Sequence, residues 1–489
     1  MALHTETLVI KQPDAFVSNG DGSVPDSEES AVDTQAQPGV QNIEAVTVAW
    51  TKTALIVAYV MLWLIYFVEG TLSGTNAALN PYVTSDFAQH SLTPTVGILS
   101  SVIGGVTDLT LAKILDVFGR PQGYFLCIVI ATVGLVMMAA CNNVEAYAAA
   151  QVFYTVGNNG IHQRTPWESL VYYLREFDAA GLILLSAGVA LFLLPFNLYT
   201  LQEKGWRAPL IICLLVFGIL LIVLFALWER FLAPVTFIPY ALLLDRTVFG
   251  ACILSNALFL SYFCWNSFFS SFLQVVVDLS ISEASYVIQA YTVGTCLSAI
   301  GVGLLVRNTG RYKPVCLYFG IPLSILGLGL MINFRRPGVN VGYLVMCQIF
   351  MAFAAGTIII CDEIAIMAAA SHQHIAIVIA ILGVFSSIGG AIGLTVAAAI
   401  WQDVFPKKLA EYLPPEELPN LPLIYADIVT QLSYAVGSPT RLAIQYAYGD
   451  AQKMLLVVGT AVWFIGLLAV VMWRDINVSN IKQVKGTAF

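Results

Sequence analysis

The chain has 489 residues, of which 58% are hydrophobic and 11% are charged, and its mean hydropathy is +0.80. A soluble globular domain carries about 25% charged residues, so this composition excludes a soluble domain and predicts an all-α polytopic membrane protein. The formal charge of −8 belongs almost wholly to residues 1–50, where eight acidic residues face one lysine, and it gives no support to nucleic-acid binding.

Residues 1–50 are polar, acidic and rich in Ser, Gln, Pro and Asp, which predicts a disordered cytoplasmic tail and not a signal peptide. The nine cysteines all lie in or beside apolar runs, and none forms a C-x-x-C pair. This pattern indicates buried hydrophobic residues, so we expect neither a disulfide framework nor a zinc site.

Twelve apolar runs are long enough to span a bilayer, for which a helix needs roughly 20 residues. They lie near 54–72, 95–115, 121–141, 144–161, 179–199, 208–228, 248–276, 285–306, 313–332, 341–361, 374–401 and 453–473. The predicted organisation after the tail is a four-span N-terminal bundle (51–161), a central connection with two spans (162–247), a C-terminal bundle (248–401), a long extracellular loop (402–452), a last span (453–473) and a cytoplasmic tail (474–489).

Lys and Arg residues set the predicted orientation, because cytoplasmic connections carry an excess of them. With the N-terminus inside, 14 of these residues fall inside and 8 outside, and half of the outside set belongs to the long loop 402–452 or its edge. Both termini are therefore predicted to be cytoplasmic. The loop 402–452 itself holds six prolines and six aromatic residues, and a loop of this length and composition is typical of a gate or substrate-capture segment or of a disordered one.

The stretch 372–409 contains 27 consecutive residues, Ile375–Trp401, without a charge or a proline. Small residues run through its middle and include a G-x-x-x-G pair, a spacing that lets helix backbones approach closely in lipid. We predict a spanning helix packed inside a bundle, with these residues at the contact: Gly383, Ser386, Gly389, Gly390 and Gly393.

The predicted inside loop 111–120 ends in Asp116-Val-Phe-Gly119-Arg120. Asp116 can accept charge-assisted hydrogen bonds at a helix end, and Gly119 permits a tight reversal of the chain. The loop resembles the one between the second and third helices of major facilitator transporters, where an Asp and a Gly-Arg pair recur. That resemblance implies a conformational role for Asp116, Gly119 and Arg120 and no contact with substrate.

Further motifs resemble the fungal siderophore-iron transporter family of the major facilitator superfamily over about residues 52–475. They are YVTSDFAQHSL, AQVFYTVGNNGI, SEASYVIQAYTVGTCLSAIGVGLLVRNTGRYK, the 372–409 stretch with its continuation FPKKLAEYLP, and AYGDAQKMLL. The resemblance implies a major facilitator-type helical bundle that imports ferric hydroxamate siderophores together with protons. It also implies fourteen spans and a long outside loop before the last one.

The chain departs from that pattern after the fourth predicted span, where Gly160-Ile161 runs directly into His162-Gln163. The family has two further spans at this point, so the twelve-span count here predicts a loss of roughly a hundred residues. The orientation of everything downstream survives the loss of an even number of spans. We hypothesise a splice variant or a gene-model deletion that leaves the N-terminal bundle incomplete.

Ionisable residues inside spans cost about 2.5–3.5 kcal/mol to insert and mark transport pathways. The proton-coupling candidates are Glu69, Asp108, Asp362, Glu363 and His372. Alternatives stay open for each of them: a partner hydrogen bond or an interfacial position for Glu69 and Asp108, solvation at the inner boundary for Asp362 and Glu363, and a polar helix start for His372.

Aromatic and amide side chains are the candidates for contact with a bulky, weakly charged chelate. In the eighth span, where the resemblance is strongest, these are Tyr286, Gln289 and Tyr291. At the mouth of the long loop and within it they are Trp401, Tyr425, Tyr434, Tyr446 and Tyr448.

No nucleophile–base arrangement, phosphate-binding glycine loop or H-E-x-x-H occurs, so the sequence predicts a transporter without cofactor and not an enzyme. Iron arrives already bound by hydroxamate oxygens, so a metal cluster in the protein is not required. The expected partners are a ferric siderophore, protons and the lipid bilayer of the plasma membrane or an endosome. The alternatives are an exchanger or efflux pump for glutathione-like or drug-like solutes, and an inactive or receptor-like variant.

Overall fold

The computed structural model describes residues 120–159, 179–199, 204–231, 243–370 and 375–480, together with residue 202 and scattered helical positions between 53 and 107. These residues are helical or irregular and contain no β-strand. Seven of the described helices are long and apolar enough to cross a membrane, and two shorter apolar helices accompany them. The fold is an all-α, polytopic membrane fold.

The longer helices are numbered in chain order. The first four are α1 (Arg120–Ala140), α2 (Val144–Asn159), α3 (Ala179–Leu193) and α4 (Pro209–Phe231). The next four are α5 (Arg246–Asn266), α6 (Phe269–Val275), α7 (Ile281–Thr309) and α8 (Ile321–Phe334). The last four are α9 (Val341–Ala369), α10 (Ile375–Tyr412), α11 (Pro439–Ala461) and α12 (Trp463–Met472). A π-helical turn, Cys316–Gly320, precedes α8.

The predicted bounds of the loop 402–452 are corrected by the structure, because most of these residues are helical. Helix α10 continues to Tyr412 with Pro406 inside it, and α11 begins at Pro439. Hydropathy alone does not detect these extensions, because they are rich in polar residues. Those residues stabilise the helix by pairing along it, as Lys408 does with Glu411 at 2.8 Å. The connection is therefore 413–438, which itself holds two short helices, Leu421–Ala426 and Ile428–Ser433.

Helices α5 and α10 cross at backbone contact. A Cβ atom on Gly389 would overlap the carbonyl oxygen of Asn256, and one on Gly393 would lie 2.5 Å from the carbonyl oxygen of Leu260. Beside these glycines, the Ser386 hydroxyl lies 2.6 Å from that of Ser255. Lipid supplies no hydrophobic drive for this crossing, so close packing and interhelical hydrogen bonds hold it.

The other predicted packing residues lie on the same helix. A Cβ on Gly390 would come within 2.9 Å of the Phe263 ring, whereas Gly383 is half-buried one turn before Ser386. Helix α7 packs against α9 in the same manner as α5 against α10, since a Cβ on Gly356 would overlap the backbone at Thr295. Small residues thus form the two tightest crossings of the C-terminal bundle.

Helix α7 has 29 residues and is about 43 Å long at 1.5 Å per residue. We name the two ends of the bundle after the charged residues that lie near its two termini. At one end, here the Arg441 end, Arg441 pairs with Asp278 just before α7. At the other end, here the Lys313 end, the Lys313 ammonium donates to the carbonyl oxygens of Val471 and Trp473.

Residues 96–104 connect the N-terminal half to the C-terminal bundle. Ile98 and Val102 are buried in one apolar cluster with Ala391 and Leu394 of α10. Gly97 faces Leu394 closely enough that an added Cβ would lie 2.9 Å from its side chain. Helix α10 is therefore one element of the C-terminal bundle that meets the first half of the chain.

Replacing Gly389 by Ala should lower the free energy of unfolding by about 1–3 kcal/mol, because the new methyl group meets backbone that cannot yield. Gly303 on α7 is the matched control, since a Cβ there meets nothing within 4 Å. We expect Gly303→Ala to lose no stability and to gain up to about 1 kcal/mol from helix propensity. Unfolding of the detergent-purified variants measures both, and equal stabilities would contradict the packing role of Gly389.

Candidate functional site

The Arg441 end holds a buried polar network. The Arg441 side chain is 2% exposed and its Nη2 lies 2.6 Å from Asp278 Oδ1, while Nη1 donates to the Gln431 carbonyl oxygen at 2.6 Å. The Gln431 amide donates to the Ile424 carbonyl at 2.7 Å, and its oxygen accepts from the Tyr448 hydroxyl at 2.8 Å. One guanidinium thus ties α11 to the segment after α6 and to the connection 413–438.

Asp278 has a left-handed backbone, with φ at 58°, which an Asp tolerates better than most residues. This conformation turns the chain between α6 and α7 so that the carboxylate faces Arg441. A buried guanidinium needs such a partner, because an unpaired charge in an apolar interior is costly. The turn and the ion pair therefore support each other.

Two hydrogen bonds join this network to the first half of the chain. The Tyr82 hydroxyl donates to Gln274 Oε1 of α6, and the Ser85 hydroxyl accepts from the Ile428 backbone amide at 3.3 Å. Both bonds are between neutral groups, each worth about 1 kcal/mol. The Arg441 end is closed by these contacts in the conformation described here.

Aromatic rings cluster just below this network. Tyr291 of α7 stacks on Tyr262 of α5 at 5.3 Å and meets Trp265 edge-on at 5.7 Å. The Tyr262 hydroxyl accepts from the Asn266 amide at 3.1 Å. Tyr262 and Tyr291 are half-buried, so the cluster offers aromatic faces and a phenol to a bulky ligand.

The other predicted substrate residues of α7 lie apart from this cluster. Gln289 is half-buried, and Tyr286 is 73% exposed near the start of the helix. The exposed Tyr286 ring therefore lies on the outside of the helical bundle and not in its interior. Of the three predicted α7 residues, the aromatic cluster includes Tyr291 alone.

Trp401 and Tyr448 are core residues, which corrects their prediction as substrate contacts in this conformation. Both are 0% exposed. Trp401 stacks between Phe268 at 4.0 Å and Phe405 at 4.4 Å, and Tyr448 meets the same stack edge-on. Their rings are buried because α10 continues past Trp401, so the supposed loop mouth is the inside of the bundle.

The remaining aromatic candidates border the connection 413–438. Tyr425 packs against Phe405 at 6.1 Å, and Tyr446 is 54% exposed beside Tyr412. The Tyr434 hydroxyl donates to Glu417 at 2.9 Å. Hydrogen bonds from Asn420 and Tyr434 lower the pKa of Glu417, while burial and then this carboxylate raise the pKa of Tyr434.

Asp362 of α9 is the buried carboxyl group of the C-terminal bundle. It is 2% exposed, and its Oδ1 has no hydrogen-bond partner among the described residues. Its electrostatic neighbours are Cys252 of α5, Cys316 of the π-turn, and Cys361 and Glu363 of α9. Glu363 is exposed, so these adjacent carboxyl groups have different surroundings.

The other predicted residues lie outside the described part of the chain. They are the proton-coupling candidates Glu69, Asp108 and His372, and Asp116 and Gly119 of the predicted conformational loop; Arg120 is described only as the first residue of α1. Among the described residues, no group of three or more His, Cys, Asp or Glu side chains has the geometry to hold a metal ion.

The sequence did not predict that Arg335 and Arg441 are buried, since it counts both only as markers of topology. Each is at most 2% exposed. Arg335 lies just after a predicted span, whereas Arg441 lies in the predicted loop 402–452, and in neither place does the sequence show whether the side chain points inward. The direction of these side chains depends on the packing of the helices.

Comparison with known proteins identifies the class. No protein-family model matches the sequence. The chain is 47% identical to "MFS siderochrome iron transporter 1" of Ajellomyces capsulatus, over 95% of both chains. It is 35% identical to "MFS siderochrome iron transporter D" of Aspergillus fumigatus, over 95% of this chain and 92% of the relative. It is 34% identical to "Siderophore iron transporter mirB" of Emericella nidulans, over 95% and 91%.

Among solved structures, an inward-facing, occupied bacterial homologue of the lysosomal transporter Spinster is similar, with a TM-score of 0.49 and 13% identity over 87% of this chain and 100% of that one. From the sequence likeness and the polytopic helical fold, the protein is a major facilitator-type transporter and not an enzyme. Within that class, the chain belongs to the fungal siderophore iron transporter family.

Asp278→Asn should lower the free energy of unfolding by about 3 kcal/mol, because it leaves the Arg441 charge buried without a partner. Asn tolerates the left-handed backbone at this position, so the change isolates the ion pair. The control is Asp403→Asn, whose partner Lys407 is 71% exposed, and it should cost less than about 1 kcal/mol. Thermal unfolding in detergent measures the stability of both variants. Similar losses of stability in the two would contradict a structural role for the Arg441–Asp278 pair.

Proposed function

We propose that this protein imports ferric hydroxamate siderophores across a fungal membrane, coupled to protons, by alternating access. The observation that carries the proposal is the 47% identity to a siderochrome iron transporter over 95% of both chains. The iron is cargo inside its chelate, so the protein has to recognise the outside of the chelate and not the metal.

The Arg441 end is the proposed outer side. The excess of Lys and Arg in the predicted inside connections supports this orientation, with both termini in the cytoplasm. The connection 413–438 is the proposed outer gate, because it is fixed to α11 through Arg441 and touches the first half through Ser85. Among the described residues, the hydrogen bonds that the opening would break at this end are Tyr82–Gln274 and Ser85–Ile428.

The proposed substrate surface is the aromatic cluster of Tyr262, Trp265 and Tyr291. Stacked and edge-on rings suit a bulky chelate whose outer surface is largely apolar. Asn266 and the Tyr262 hydroxyl add polar groups that can orient its carbonyl oxygens. The cluster lies below the proposed gate, where a substrate entering from outside would arrive.

Asp362 is the proposed proton carrier of the C-terminal bundle. A carboxyl group that is buried without a charged partner is most stable in its neutral form, so each ionisation must be accompanied by solvent entry or a change of conformation. The π-turn Cys316–Gly320 packs against the same helix, since a Cβ on Gly320 would lie 2.9 Å from Ile358. Turns of this kind are frequent at functional sites and allow a helix to shift.

Asp362→Asn should reduce uptake of radioactive-iron siderophore to the background of a strain that lacks its own transporters. Asn keeps the shape of the side chain but cannot exchange a proton. The wild type should accumulate iron faster as the external pH falls, and this pH response should vanish in the variant. Glu363→Gln is the adjacent control, and we expect it to keep the response because Glu363 is exposed. An Asp362→Asn variant that retains pH-stimulated uptake would refute the assignment.

The alignments with two relatives are longer than the part of this chain that they cover. The alignment with the 47%-identical relative spans 556 positions, whereas 95% of 489 residues is about 465, so about 90 positions of the relative face gaps. A relative from Gibberella zeae gives nearly the same difference, with 564 positions against 97% of the chain. This supports the proposal that two spans are missing after Ile161, and it makes a receptor-like or inactive form the second candidate function.

Restoring the missing spans after Ile161 should raise siderophore uptake well above that of the present chain, because they would complete the first half of the carrier. The two forms are compared in the same uptake assay at matched surface expression, with binding of the ferric siderophore measured in parallel. Binding without accumulation in the present chain selects the receptor-like form. Equal uptake by the two forms would contradict the importance of the missing segment.

A further inference from the structure

Arg335 is a buried cation that the transport cycle described above does not use. It follows α8 directly and is 1% exposed. Its guanidinium lies 3.9 Å from the centre of the Phe269 ring and 5.3 Å from that of Trp265. The side chain therefore enters the bundle behind the aromatic cluster.

The hydrogen-bond partners of Arg335 do not neutralise its charge. Nη1 donates to the Trp265 carbonyl oxygen at 2.8 Å and to Gln452 Oε1 at 2.6 Å, and both oxygens are neutral. None of the ion pairs among the described residues includes Arg335. Arg441, by contrast, has the carboxylate of Asp278. Of these two buried arginines, only Arg441 has a carboxylate partner among the described residues.

The side-chain hydrogen-bonding atoms of Arg335 and Trp265 that have no partner are all donors. Within the described part of the chain, Arg335 Nε and Nη2 have no partner, and neither has the indole Nε1 of Trp265, which is also 1% exposed. Aromatic faces compensate a cation only partly. Donors of this kind and an uncompensated positive charge are complementary to an acceptor that carries negative charge.

We infer that Arg335 and Trp265 form a binding site for an anionic oxygen group or small anion. Two sources fit this chemistry: a carboxylate on the transported chelate, or an inorganic anion such as chloride. The first source rests on the proposed function, because Trp265 joins the site to the proposed substrate surface of Tyr262 and Tyr291. The second requires only the fold.

The test compares Arg335→Gln with Arg336→Gln in the full chain purified in detergent. Arg336 is the next residue and is exposed, so the pair differs in burial and not in charge. Binding is measured for a neutral ferric trihydroxamate and for the same scaffold bearing free carboxylates, by quenching of tryptophan fluorescence. In parallel, the thermal midpoint is followed while chloride replaces gluconate at constant ionic strength.

If the chelate supplies the anion, the wild type and Arg336→Gln should prefer the carboxylate form by roughly ten- to a hundredfold, the range expected for a hydrogen bond to a charged group. Arg335→Gln should lose that preference and keep its affinity for the neutral chelate. If an inorganic anion is the ligand, chloride should raise the thermal midpoint of the wild type and not that of Arg335→Gln. Arg335→Lys, which retains the charge with fewer donors, should be intermediate in either case.

A wild type with neither a carboxylate preference nor a chloride response overturns the inference, whether or not the variants fold. The same responses in Arg335→Gln as in the wild type would overturn it as well. Failure of the proposed function is a separate result, because the wild type would then bind neither chelate while its chloride response could still be measured.

Discussion

The close approach of α5 and α10 is the constraint on which the C-terminal bundle depends. Lipid is as apolar as the helices themselves, so burial of apolar surface does not draw them together. Glycines at the crossing bring the backbones into contact, and the Ser255 and Ser386 hydroxyls meet there at 2.6 Å. The contact aligns the two helices along their length, so that Phe268 stacks on Trp401 at 4.0 Å farther toward the Arg441 end. The proposed substrate surface is built on the same α5.

The buried charged groups of the C-terminal bundle differ in whether their charge is paired. Arg441 is buried with a carboxylate and with carbonyl oxygens from neighbouring elements, so it joins segments of the chain as a structural group does. Asp362 is buried with an oxygen that has no partner in the described residues, and the same is true of two nitrogens of Arg335 and of Nε of Arg441, whose charge is nevertheless paired with Asp278. Such groups destabilise an apolar interior unless something else binds to them during the working cycle. A proton is sufficient for a carboxylate, whereas a guanidinium requires an anion.

The helices of the membrane region were predictable from sequence, and the outer connection was not. Hydropathy located the start of α10 to within one residue, because an apolar run of this length without charges is typical of a spanning helix. It ended that helix at Trp401, eleven residues early. The last part of the helix carries paired charges such as Asp403 and Lys407, and a hydropathy window assigns such a polar stretch to a loop. The close contacts of Gly389 and Gly393 follow from their spacing. The burial of Trp401 and the inward direction of Arg335 depend on neighbours that are distant in sequence, so no local pattern indicates them.

The contacts at the Arg441 end differ in strength. Arg441 is 2% exposed and its partner Asp278 is 34% exposed, and leaving a buried guanidinium without its partner costs about 3–5 kcal/mol. The bonds that reach the first half, Tyr82 to Gln274 and Ile428 to Ser85, join neutral groups and together contribute about 2 kcal/mol. A substrate must bind the favoured state about 10⁴-fold more tightly, or about 5.5 kcal/mol, to reverse a two-state population from 1:99 to 99:1. The two neutral bonds lie well within that range, so the proposed opening needs no break in the contacts that attach the connection 413–438 to α11.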